Sequence, residues 1–378
     1  MKKNRLFIYA SVLLALGACT AEQIDGDFDL ESPETLIDGD FDLESAETLV
    51  DTNSITCDNG LSAAFGYNAF ILNDVTLQSG DTEGAIALGG DLTVDGAFTV
   101  ATQTAGAFFD NEDELASSLV VNGAVIYASN EGINLNQGYI KIGDLTGTTI
   151  HDFDNNDVAT NTRITPGEFG DTPRILSQRN QIAESVAVAD VIDFETAFAE
   201  LNAASLSFSE LENNVIIEEN NKITLAEDTI NVLNLTGEEL NNLVNFTFNN
   251  QPTVDSPLLI NVDAAGEFVW TVQNQAGIGD EHGNFIVYNF FNSTQITIES
   301  GTTIIGSLFA PSSDVIKVSS DNINGQVIAS SYIHMNGELH EHPYILCPAV
   351  EEEEVIETDE PVIIDEPIGD DIPEEIES

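Results

Sequence analysis

Val315-Ile-Lys-Val318, Val327-Ile-Ala329 and Tyr332-Ile-His334 are three short runs rich in β-branched and aromatic residues, divided by Ser, Asp, Asn and Gly. Such runs, bounded by turn formers, read as short strands. The same pattern extends backwards through Thr303-Ile-Ile305 and Ile296-Thr-Ile298 to Ile230-Asn-Val232, Ile223-Thr-Leu225 and Val215-Ile-Ile217. It fills the N-terminal half as well, with Ile86-Ala-Leu88, Leu92-Thr-Val94, Phe98-Thr-Val100, Leu119-Val-Val121, Val125-Ile-Tyr127, Ile133-Asn-Leu135 and Tyr139-Ile-Lys-Ile142. Strand starts recur every six to ten residues, at or below the spacing of about 8–12 expected of a sandwich. Short strands, period-two alternation and a corner residue after each suit the coils of a β-helix. Asn and Gly fit the corners because they tolerate positive φ. The expected fold is mainly β, a β-helix; a β-sandwich or barrel is the alternative.

One segment changes period. From Ser177 to about Leu211 the pattern is helical, with Phe194, Ala197, Phe198 and Leu201 at i, i+3, i+4 and i+7. Asp193 is placed to cap this helix, and Glu195 falls in its first turn, where negative charge is favoured. Phe194 and Phe198 are expected to lie along the β body as core contacts, each contributing about 2–3 kcal/mol on burial.

The flanks differ from this centre. Lys2, Lys3 and Arg5 precede an apolar run from Leu6 to Leu16, then Gly17-Ala18-Cys19. A basic start, a short apolar core and small residues at the cut make a secretory signal over residues 1–18. The apolar run falls short of the roughly 20 residues that span a bilayer. Leu16-Gly17-Ala18-Cys19 has the form of a lipobox, so Cys19 is expected to carry lipid and lead the mature chain; an ordinary cut near Ala18 would leave it unmodified. Thr20 follows instead of the aspartate that retains lipoproteins at the inner membrane, which points to the outer membrane or cell surface of a Gram-negative cell.

Residues 20–53 contain a tandem duplication, Ile24-Asp-Gly-Asp-Phe-Asp-Leu-Glu-Ser-Pro-Glu-Thr-Leu36 and Ile37-Asp-Gly-Asp-Phe-Asp-Leu-Glu-Ser-Ala-Glu-Thr-Leu49. An EF-hand loop needs Gly at its sixth and Glu at its twelfth position, and leucines occupy both in each copy. A charged spacer is the expected role. Residues 348–378 are acidic with recurrent prolines, as in extended disordered tails. Residues 54–347 form the expected folded domain.

The chain of 378 residues carries a formal charge of −57. Loss of the signal leaves six basic residues, Lys141, Arg163, Arg174, Arg179, Lys222 and Lys317. Nucleic-acid binding is excluded as an expectation, because phosphate contacts need a basic footprint. Cys57 and Cys347 are the remaining cysteines. In an exported chain such a pair invites a disulfide, and these two bracket nearly all the patterned sequence; two free thiols are the alternative.

Several motifs together resemble the choice-of-anchor A family of bacterial surface domains. They are Leu61-Ser-Ala-Ala-Phe-Gly-Tyr-Asn-Ala-Phe-Ile-Leu-Asn-Asp74, Thr82-Glu-Gly84, Ala87-Leu-Gly-Gly-Asp-Leu-Thr-Val94, Asp193-Phe194 with Leu201 and Ser205-Leu206, Val287-Tyr-Asn-Phe290, Ile305-Gly-Ser-Leu-Phe-Ala-Pro311, Ile323-Asn-Gly-Gln-Val-Ile-Ala329 and Gly337-Glu-Leu-His340. The likeness spans nearly all of residues 57–345. It implies an adhesive domain on a β-helix with an accompanying α-helix, similar to ice-binding-like adhesive domains, joined to the cell by whichever anchor the organism uses. Cys57 and Cys347 lie just outside the terminal motifs.

Motifs for chemistry are sparse. His340-Glu-His342 would set two imidazoles on one side of a strand, but His340 matches a position of the family and a structural role is favoured. With 66 acidic residues, a carboxylate pair for glycoside hydrolysis has no diagnostic weight. Trp270 is read as a half-buried strand residue, with carbohydrate stacking as the alternative. Gly89, Gly90 and Gly325 are read as corner residues. No catalytic residue, metal or cofactor is assigned. The expected function is a non-catalytic, lipid-anchored surface module that binds an extracellular polysaccharide or protein. A carbohydrate-active enzyme and an ice-binding protein are the alternatives. The latter needs a flat Thr ladder, for which Thr297, Thr302 and Thr303 are too few.

Overall fold

The computed structural model describes residues 61–64, 66–110 and 113–345. Cys19, Cys57 and Cys347 lie outside the described residues, as do the spacer and the acidic tail.

The three runs that open the sequence analysis belong to two long strands, Ser307–Lys317 and Val327–His334, which pair in parallel along both halves. Each bends between halves, with a register shift between Ala310 and Asp314, and so serves two faces of one coil. Every full turn of the coil then adds a short strand to a third face, such as Ile323–Asn324 or Glu338–His340. Stacking these turns gives a β-helix of three parallel faces, and the sandwich alternative is set aside.

The turns do not stack in chain order. Tyr67–Ile71, the first strand, lies between Val327–His334 from the last turn and Ala85–Leu88 from the second. The described residues therefore start in the middle of the stack, build outward to Tyr139–Asp144, return through the helical segment and build back from Asn231–Thr236 to the centre. Polar side chains stitch the seam. Asn68 donates to the carbonyls of Gly325 and His340 and accepts from the Gly84 amide. Gln326 donates to the carbonyls of Ala64 and Tyr67 and accepts from the Tyr344 amide. Elsewhere on the third face, the Gln275 side chain pairs with both the amide and the carbonyl of Ile305, in the manner of a strand backbone.

Inside the coil, alternate residues form in-register columns. One runs Trp270, Ile298, Lys317, His334, Leu77, Val94 and Tyr127. Trp270 is fully buried, deeper than the half-buried strand position expected, and its indole donates to Gln273. Lys317 survives in this interior because its ammonium donates to the carbonyls of Ser319, Asp321 and Asn336. Burial pulls its pKa down to about 8.

The helical segment is shorter than the expected span from Ser177, which ends the strand Ile175–Ser177; it divides into a single turn, Ala183–Val186, and a long helix, Phe194–Ser209. Asp193 caps the latter by accepting from the Thr196 amide, as the sequence implies. The long helix lies along one face of the coil, hereafter the covered face.

Candidate functional site: the uncovered face

Beneath the helix the covered face is buried on both sides, and only its end residue Asn234 is exposed. Its outward column reads Asn234, Asn261, Asn289, Phe309, Ile328, Phe70, Ala87, Val120 and Lys141. Phe194 and Phe198 of the helix stack on Phe70 with ring centroids 5.2 and 5.5 Å away. Phe208 meets Phe309 edge-on at 6.0 Å. The glycine at 89 belongs to this seat: a Cβ there would lie 2.2 Å from the Leu72 carbonyl and 3.0 Å from the Phe194 ring. Towards the end of the helix the aromatic contacts give way to an asparagine ladder. Asn289 donates to Asn261, and Asn261 donates to Asn234, at 2.8 and 2.9 Å. Asn289 also accepts from the Ser205 hydroxyl, and Asn261 donates to the Phe208 carbonyl. The helix thus covers this face from Phe70 to Asn289 and leaves Asn234 exposed at its end.

Among the described residues no helix lies along the adjoining face; the short helix Gly237–Asn242 meets only its end strand, where Asn241 donates to the Val269 carbonyl and accepts from the Thr271 amide. Its strands are Gly266–Thr271, Ser293–Ser300, the second halves of Ser307–Lys317 and Val327–His334, then Val75–Leu77, Leu92–Val94 and the second half of Ser117–Tyr127. Parallel strands stack at about 4.7–4.9 Å. The central outward column is Val269, Thr297, Ile316, Ile333, Thr76, Thr93 and Ile126, in unbroken register. Every member is β-branched. Such side chains are stiff at χ1, so contact with a rigid surface costs little side-chain entropy. Val269 and Ile126 at the two ends are 50 % and 46 % exposed, and the five between them are partly exposed.

Acids border the column and hold the corners. Ser331 donates to Asp314 at 2.7 Å, Asp74 accepts from the Asp91 amide, and Asp91 accepts from the Ala124 amide, both at 2.8 Å. On the opposite border Gln78 donates to Asp95. Because these carboxylates are tied to neighbouring turns, the borders are fixed with the sheet.

Among the threonines singled out from sequence, Thr297 alone joins the column. Thr302 donates to the Gln273 carbonyl at a corner, and Thr303 leads into the third face. Thr76 and Thr93 were missed because their neighbourhood depends on the pairing of Thr76 with Ile333 across the seam.

His340 and His342 do not converge. His340 lies 3.0 Å from Glu338 and 3.3 Å from Asn322, while His342 meets Asn284 at 3.2 Å. No group of three or more His, Cys, Asp or Glu placed to hold a metal occurs among the described residues. Nearby Asp81 has its pKa raised by burial and by Glu338, against the opposing pull of His340. The cleft at the start of the long helix is lined by Asp190, Asp193 and Glu195. Asp193 is committed to capping: the backbone and side chain of Thr196 hold its pKa below the usual carboxylate range. That is the wrong direction for a general acid, which needs its proton near neutral pH.

The sequence profile of the ice-binding-like adhesive domains matches residues 60–341, and the chain belongs to that family. No curated protein matches it. Among solved structures, a glycosylated ice-binding protein from Arctic yeast is 12 % identical, with 79 % of this chain and 97 % of that one aligned at a TM-score of 0.28. The DUF3494 domain of a Shewanella frigidimarina ice-binding protein is also 12 % identical, over 77 % and 98 % at 0.32. An ice-binding protein from an Antarctic biological consortium is 9 % identical, over 75 % and 90 % at 0.33. Superpositions this loose assign no ligand to this chain, whose fold rests on its own strand pairing.

Proposed function

We propose that this protein is a non-catalytic binding module on the cell exterior and that its uncovered face is the contact surface. The observation that carries the reading is the seven-residue β-branched column, bare and in register, beside an equivalent face closed by a helix. A flat, stiff, weakly polar stripe suits an extended repetitive partner, such as a polysaccharide or the coat of another cell, better than a small molecule. The acidic borders and the net charge of −57 oppose nucleic acid. The choice-of-anchor A motifs agree with this role. Cys19 supplies the anchor, with two acyl chains or more, because a single chain binds membranes only marginally. Cys57 and Cys347 form a disulfide that clasps the ends of the domain. In support, Gln326 bonds both Ala64 and Tyr344, near neighbours of the two cysteines in sequence.

Ice is a second candidate for the partner. Three threonines of the column, Thr297, Thr76 and Thr93, supply the hydroxyl and methyl groups that the sequence alone did not gather. The test exposes full-length protein, solubilised by Cys19→Ser, to a polysaccharide and matrix-protein array and, separately, to growing ice crystals. Retention on one array component supports the first reading. Arrest of ice growth with an empty array moves the face to ice, and failure of both removes the proposed role. Membrane fractionation of Cys19→Ala, expected to be soluble, tests the anchor, and thiol labelling of the unreduced chain tests the disulfide.

A further inference from the structure

Lys141 ends the outward column of the covered face, where it pairs in register with buried Val120. Its side chain is 1 % exposed, and its ammonium lies 2.8 Å from Asp110 and 2.6 Å from Asp113, which are 12 % and 13 % exposed. The remaining donor reaches the Ser185 carbonyl at 2.9 Å. The Ser185 hydroxyl donates to the other oxygen of Asp113 and receives a hydrogen bond from Gln181, so Asp113 is held in place. Two carboxylates thus share one ammonium away from water, and three separate segments meet at a single nitrogen.

We propose that Lys141 and Asp110 condense into an intramolecular isopeptide bond, with Asp113 as the proton relay. The inference is independent of what the uncovered face binds. Asp113 takes a proton from Nζ, and the free amine attacks Cγ of Asp110, forming the C–N bond. The C–O bond then breaks and the leaving oxygen departs as water, carrying the proton returned by Asp113 and a second one that the nitrogen gives up through Asp113 as the amide forms. An ammonium and a carboxylate become a neutral amide and one water, with no change of oxidation state and no co-reactant. Burial favours this direction, since charges removed from water are penalised and an amide is not ionised. Position favours it too, because the nitrogen is within bonding reach of the carboxyl it attacks and the reaction is intramolecular. The second carboxylate has a purpose in this scheme: 2.6 Å from the nitrogen, Asp113 is placed to carry the transferred protons. The product would tie the long connection between Phe98–Val100 and Ser117–Tyr127 to Tyr139–Asp144, the outermost strand of the covered face.

Mass spectrometry of the denatured, reduced chain tests the bond. The full chain carrying Cys19→Ser should be lighter than its sequence by one water, and digestion should give a branched peptide joining residues 110 and 141. Lys141→Arg, Asp110→Ala and Asp113→Asn should each have their full sequence mass. A full-mass parent chain would overturn the proposal and leave a buried ion triad. So would a water loss that persists in Lys141→Arg, which would mark cyclisation of the Asp110-Asn111 backbone instead.

Discussion

The covered and uncovered faces are built in part from the same strands, yet they are opposite kinds of surface. In Ser307–Lys317, Leu308-Phe-Ala310 is buried at every position, whereas in Val315-Ile-Lys317 the middle residue is partly exposed. Val327-Ile-Ala329 and Tyr332-Ile-His334 repeat the contrast. A strand buried on both sides reads as a continuous apolar run, and one buried on a single side alternates. Here both grammars occur within one strand, and the change marks the edge of the helix. Outward aromatic residues, Phe70 and Phe309, accompany burial; outward β-branched residues accompany exposure.

This contrast can be broken most severely at the helix seat. Phe198→Ala should destabilise the domain by about 3–5 kcal/mol, the cost of an aromatic core truncation, read as a fall in the denaturant midpoint. Thr76→Ala on the uncovered face should change it by no more than about 0.5 kcal/mol. Equal losses at the two positions would erase the distinction between the faces.

His334, behind the uncovered face, gives the next effect. It is buried between the Tyr332 hydroxyl and the Gly337 carbonyl, and burial together with Lys317 pulls its pKa down to about 4. The unfolded chain, with a histidine pKa of about 6.5, binds the extra proton first. Its contribution is therefore intact above pH ~6.5 and is lost as pH falls towards ~4, by roughly 3 kcal/mol over the full window. Denaturant titrations of wild type and His334→Gln at neutral and mildly acid pH should show the gap between the two narrowing on acidification. A constant gap would mean that His334 is not held neutral.

Two smaller effects sharpen the account of the covered face. Asn289→Ala removes the buried end of the asparagine ladder and strands its partners, for about 1–3 kcal/mol. Asp193→Ala removes the helix cap and should lower the denaturant midpoint by less than Asn289→Ala, and the loss should shrink at acid pH, where the wild-type carboxylate takes up a proton.

The sequence carries the local half of this structure. Most strand runs, the helical period through Phe194 and Phe198 and the cap at Asp193 were legible, because each depends on residues within a few positions; Val215-Ile-Ile217, read as a strand, forms none. The break at residues 187–193, which splits the helical segment, was not foreseen. The stacking order was hidden for a different reason: Ala69 pairs with Val327 and Val75 with Tyr332, contacts that no local pattern specifies. The uncovered column crosses that seam, so its composition could not be assembled from sequence. The Lys141 triad was equally invisible, since Asp110 and Asp113 sit in an irregular connection amid a chain crowded with acids.

The central claim is that the bare β-branched column is the contact surface. The most direct measurement pairs Thr76→Tyr/Thr93→Tyr with a third-face control, Asn134→Tyr, in the full chain carrying Cys19→Ser. Tyrosine is well tolerated in strands, so the coil should persist while the flat stripe is interrupted. Retention on the polysaccharide and matrix-protein array and arrest of ice growth are recorded for each, alongside the denaturant midpoint. The account predicts that whichever response the parent chain gives falls at least about tenfold, or about 1.4 kcal/mol, in the double variant and is unchanged in the control, with midpoints alike. Full activity in the double variant, or a loss confined to the control, would contradict it and move the contact surface elsewhere on the coil.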